Sequence, residues 1–118
     1  MAESELYQKG AALRRRLLDL MARHRIDALA FPHQRRLVAS IGETQSERNG
    51  VLASATGFPS IAIPAGFSAP DLTAPLGVPV GMEFFGRPFS EAVLIRLAYA
   101  AEQAIHVRKA PYATPVLE

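Results

Sequence analysis

The chain has 118 residues, 49% of them hydrophobic and 20% charged, which excludes a disordered segment and fits one globular unit over residues 1–118. Thirteen basic residues against eleven acidic ones leave a net charge of only +2, spread along the chain, which argues against the concentrated basic face of a nucleic-acid binder. The absence of cysteine excludes a disulfide framework, a thiolate nucleophile and a cysteine-based zinc site, and it fits a reducing compartment.

The start, Met1-Ala2-Glu3-Ser4-Glu5, is acidic and polar, unlike a secretory signal with its basic start and apolar run. From Ser4 to Arg25 the spacing predicts an amphipathic helix, with Leu6, Leu13, Leu17, Leu20 and Met21 on one face. Ser4 is the expected N-cap, and Arg14-Arg15-Arg16 the solvated side. Gly10 weakens such a helix by roughly 1 kcal/mol relative to alanine. The short apolar run Ile26–Phe31, stopped by Pro32, predicts a buried strand.

Residues 32–50 form a long polar connection, a class of segment that often carries function. Two candidate substrate-binding residues lie in it. His33 follows a strand end, a common place for ligand contacts, although a lone loop histidine also reads as a solvated surface residue. Asn49-Gly50 reads as a helix cap with a positive-φ glycine, or else as part of a cleft.

Val51–Ala55 predicts a short helical turn ending at Gly57. Ile61 and Ile63 alternate in the strand Ser60–Phe67, whose Pro64 must sit at an end, a bulge or an edge. After a surface loop, the strand Pro79–Gly86 puts Val80, Met82 and Phe84 on one side, and Gly81, Glu83 and Phe85 on the other. Glu83 is an acid among apolar neighbours and needs a partner. Arg87 or an arginine elsewhere could supply it, and because no second titratable group lies at a matched spacing, a salt bridge is the expected role rather than proton transfer.

Ser90 and Glu91 then open a second helix running to about His106, with Leu94, Leu97, Ala98, Ala101 and Ile105 on its apolar face. The tail from Lys109, with two prolines, reads as irregular chain lying over a surface. Interleaved helices and strands predict an α/β fold. No run of 18 apolar residues points to a membrane, and a cytoplasmic protein is the expectation.

The sequence carries no motif of a self-sufficient catalytic site. G-x-S-x-G, G-x-x-x-x-G-K-[ST] and G-x-G-x-x-G are all absent. His24, His33 and His106 form no metal-spaced pair. No cofactor and no metal is expected. An independent hydrolase using Ser54 or Ser60 with His33 is a poor reading, because nothing in the sequence orients such a set.

Four segments in order carry a resemblance. Ile26-Asp27-Ala28-Leu29-Ala30-Phe31-Pro32 resembles the D-A-L-x-x-P strand of amidase-signature enzymes, although His33 stands where that family often has threonine. Thr56-Gly57-Phe58-Pro59-Ser60-Ile61-Ala62-Ile63-Pro64-Ala65-Gly66-Phe67 is similar to their T-G-x-P-[AS]-h-x-h-P-A-G-F segment, h being apolar. Pro79-Val80-Gly81-Met82-Glu83-Phe84-Phe85-Gly86-Arg87-Pro88-Phe89-Ser90-Glu91 resembles P-V-G-h-x-h-h-G-R-P-F-x-E. Leu97-Ala98-Tyr99-Ala100-Ala101-Glu102-Gln103-Ala104 is similar to the helix that follows, and the tail Thr114-Pro115-Val116-Leu117 also fits.

The resemblance implies the C-terminal part of the amidase-signature fold: a few strands of a mixed sheet with two flanking amphipathic helices. The family includes amidases and glutamyl-tRNA amidotransferases. Its chemistry uses a serine nucleophile, a second serine on a cis peptide and a lysine base, with backbone N–H groups for the oxyanion. None of these carries over, since no Gly-Gly-Ser-Ser-Gly run exists and Lys9 and Lys109 lie in no matching context.

The expectation is therefore a C-terminal portion of an amide hydrolase that is inactive alone, with no catalytic residue of its own. Its expected partner is a complementary amidase N-terminal chain or a second copy, and a small amide substrate is met only in the intact parent. The alternative is a free-standing, non-catalytic interaction module that oligomerises, because strands taken from a larger sheet leave edges and an apolar face to cover.

Overall fold

The computed structural model describes residues 2–111, with side chains from residue 8 onward. In chain order the elements are α1 (Ala2–Arg23), β1 (Ala28–Pro32), α2 (Val51–Thr56), β2 (Ser60–Phe67), β3 (Pro79–Gly86) and α3 (Glu91–Ile105). Helix α1 starts before Ser4, so Ser4 lies inside it and does not cap it. The far end is closed by Arg25 at φ 52°, beside a hydrogen bond of 3.0 Å from the Ile26 N–H to the Met21 carbonyl. The side chain of Leu6 and the tail motif Thr114–Leu117 lie outside the described residues.

The three strands form one antiparallel sheet in the order β1-β3-β2. Strand β3 is central, with a neighbour on each side, and it is the most buried of the three. Its Phe85 stands opposite Leu29 of β1 and Ser60 of β2. Pro64 meets two of the three conditions its missing N–H imposes, since β2 is an edge strand and its register shifts between Pro64 and Gly66.

Alternation divides the sheet into two faces. On the face of Glu83 and Phe85, the Phe58 ring stacks on Phe85 at a centroid distance of 5.8 Å. Phe58 is aimed there by the turn that ends α2, where Gly57 takes φ 71° and the Thr56 hydroxyl accepts the Phe58 N–H at 3.2 Å. Met21 of α1 is also fully buried, and α1 packs on α2. Gly10 belongs to that contact: a Cβ there would lie 3.3 Å from the Ala55 carbonyl oxygen, so glycine allows the close approach. Arg14 is drawn in as well, half-buried with a long bond of 3.4 Å to the Thr56 carbonyl, whereas Arg15 and Arg16 are exposed as expected of the solvated side.

Helix α3 covers the opposite face, packing on β2 and β3 with Leu94 and Ala98 buried. Its N-cap differs from expectation. Ser90 sits at φ −98°, ψ 20°, outside the extended region an N-cap normally uses, and its hydroxyl donates back to the Arg87 carbonyl at 2.7 Å. The apolar face of α3 is also only partly covered. Leu97 and Ile105 are exposed, as are Val93, Ile95 and Tyr99, because three strands are narrower than the stripe this helix presents.

Candidate functional site

The end of β1 and the middle of β3 bring the two sequence candidates together with a third residue. Phe31 pairs with Glu83 in the sheet, and the next step of the ladder continues past β1, with the His33 N–H donating to the Gly81 carbonyl at 3.0 Å. His33 therefore stands on the same side of the sheet as Gly81 and Glu83. Its Nδ1 lies 2.8 Å from Glu83 Oε2. The glutamate side chain is 3% exposed and the histidine side chain 47%.

The partner of Glu83 is thus His33 and not Arg87, which corrects the expectation. Arg87 follows the strand and turns away, donating to the Ile26 carbonyl at 2.8 Å with Asp27 3.9 Å distant. The absence of a second titratable group near Glu83 is corrected with it: the two residues are fifty positions apart, and only the register of β1 on β3 joins them.

Asn49 belongs to the same cluster. Its side-chain amide donates to the Pro32 carbonyl at 2.7 Å, and its backbone N–H donates to the His33 carbonyl at 3.1 Å. The two ends of the 32–50 connection are thereby tied, so the backbone of His33 is held on both sides. Gly50 takes φ −60° at the N-cap of α2, contrary to the expected positive φ. Its lack of a side chain matters for packing instead: a Cβ there would lie 3.1 Å from His33 Cε1 and 3.7 Å from Glu83 Oε2. The glycine makes room for the imidazole.

Between these ties the connection is ordered by its own polar groups. Gln45 accepts from the Ala39 N–H at 2.7 Å and donates to the carbonyls of Leu37 and Ser46. The Arg35 N–H donates to the Glu47 carbonyl at 3.1 Å. A cavity of about 670 Å³ lies between this segment and the sheet, with Phe31, Val80, Met82 and Leu37 among its walls and Arg35 and Arg36 at its rim. His33 and Gly81 line it as well, Val80 and Met82 belong to the sheet face opposite Glu83, and Glu83 stands behind His33 outside the lining.

Ser54 and Ser60 are exposed, and neither has a hydrogen bond to His33. Among the described residues no group of three metal-ligating side chains converges, and no helix is long and apolar enough to cross a membrane.

No family model matches the chain. Among curated proteins it is similar to a chain of the glutamyl-tRNA(Gln) amidotransferase of Desulforudis audaxviator, 43% identical over 60 residues, which are 50% of this chain and 11% of that one. It is also similar to an Arabidopsis thaliana protein named as a probable amidase, 36% identical over 91 residues, which are 77% of this chain and 16% of that one. Among solved structures it superposes on the native peptide amidase from Stenotrophomonas maltophilia with a TM-score of 0.71 and 30% identity. That match covers 90% of this chain and 21% of the peptide amidase. The homologues are amidase-signature proteins, and the chain is of that amide-hydrolase lineage. It spans only a small part of the length of the relatives it matches.

Proposed function

We propose that this chain serves as the C-terminal portion of an amide hydrolase, in which it supplies a wall of sheet and one covering helix while another portion supplies the nucleophile and base. The parent reaction would be hydrolysis of a carboxamide C–N bond through a serine acyl-enzyme. The family's serine pair and lysine have no counterpart at matching positions here, so the chain is inactive alone.

The observation that carries this reading is the surface. The chain exposes 9383 Å², against roughly 6,300 Å² for a folded monomer of this length. The excess is roughly 3,000 Å², more than the roughly 1,000–2,500 Å² that one partner contributes to an obligate interface. Five exposed large hydrophobics, Val93, Ile95, Leu97, Tyr99 and Ile105, share α3, while others such as Ile41, Leu72 and Phe89 are scattered over the rest of the chain. The same exposure supports the second reading, an interaction module that self-associates or completes a partner chain.

The two readings separate in one experiment. The chain is assayed against simple amides alone, and again after mixing with the N-terminal portion of a related amidase. Turnover only in the mixture is the expected result. Turnover by the chain alone overturns the reading, and a mixture with no turnover and no complex leaves the self-associating module in its place.

A further inference from the structure

We infer that Glu83 is a positioning residue that fixes the tautomer of His33, and that His33 Nε2 accepts a hydrogen bond from the N–H of a carboxamide bearing an apolar group. Among the described residues, Glu83 has its side-chain hydrogen bond with His33 Nδ1 at 2.8 Å, and it is itself buried. An ionised carboxylate has no proton to give, so a neutral imidazole can meet it only by donating Nδ1–H. Nε2 is then left with its lone pair, on a side chain that is 47% exposed.

The rest of the cluster serves the same end. The His33 N–H and carbonyl are both engaged, by Gly81 and Asn49, and Gly50 leaves just the space the ring needs. A ring held in one place and one tautomer is what selective recognition of a donor requires. The cavity beside it, with Phe31 and Leu37 in its walls, suits the apolar group of the ligand. The carboxamide class rests on the amide-hydrolase reading above; the tautomer rests on geometry alone.

The test is ¹H–¹⁵N correlation spectroscopy of the imidazole rings in the full chain, with H33A identifying the His33 resonances by their loss. In the neutral form the expected pattern is a protonated Nδ1 and a lone-pair Nε2, and E83Q, whose amide can donate as well as accept, loses that single pattern. A lone-pair Nδ1 in the unsubstituted chain overturns the proposal and needs no variant to fold.

Benzamide is then titrated against methyl benzoate, which has the same ring and no N–H. Benzamide is expected to move the Nε2 resonance, and H33A to weaken its binding about fivefold or more. Equal movement by both compounds, or none up to the solubility limit, overturns the ligand assignment. A failed complementation assay with the tautomer intact counts against the parent-enzyme reading alone.

Discussion

Two carboxylates show how differently one functional group behaves in this molecule. Asp71 is fully exposed, yet its Oδ1 accepts from the Thr73 hydroxyl at 2.7 Å, the Ala74 N–H at 2.8 Å and the Thr73 N–H at 2.7 Å. These bonds, the Thr73 hydroxyl first, hold its carboxyl below the ordinary value of 3.8. A depressed folded value means that the turn at 71–74 is fully supported above pH 3.8 and loses that support as pH falls through the lower value. Amide shifts of Thr73 and Ala74 should therefore titrate together with Asp71 below pH 3.8, and D71N should abolish that step. Glu83 was legible from the sequence only as an acid in need of a partner. Proximity in sequence pointed to Arg87, but strand pairing, which no local pattern reveals, delivered His33.

At the level of elements, periodicity and turn chemistry placed helices and strands well, because each rests on local physics. The Ile61 and Ile63 alternation, the stop at Pro32 and the Gly57 ending all describe what is found, although β1 is an edge strand with no buried residue and not the buried strand expected. The caps went astray: Ser4 lies within α1 and the Ser90 hydroxyl turns backward, outcomes set by backbone angles that a residue type favours but does not dictate. The strand order β1-β3-β2 lay beyond the sequence, since it depends on long-range pairing. The joint between β3 and α3 rests on Gly86. A Cβ there would collide with Ser90 Oγ and lie 3.1 Å from a Leu94 methyl. G86A should destabilise the fold by about 1–3 kcal/mol through overpacking, read as a lower urea midpoint with unchanged slope.

Across the whole molecule, the radius of gyration is 17.3 Å, against about 13 Å for a compact domain of this length. The buried hydrophobic core is correspondingly small: Met21, Phe58, Ile63, Phe85, Leu94 and Ala98. A sequence shows which faces are apolar but not whether anything covers them, which is why Leu97 and Ile105 read as core and are found exposed. Such a chain should associate through the outer side of α3. Size-exclusion chromatography with light scattering should find it larger than a monomer, and the pair I95K and Y99K, four residues apart on that helix, should return it toward one. A monomer at all concentrations without those changes counts against the interface.

The kind of association also follows from the sheet margin. Strand β2 carries Pro64, which has no amide hydrogen to offer an incoming chain, and a register shift beside it that twists the ladder out of line. Strand β1 is only five residues long and ends at Pro32. Neither margin is a good template for strand-by-strand growth, so copies that lack their natural cover are steered toward side-chain contact and away from fibrils.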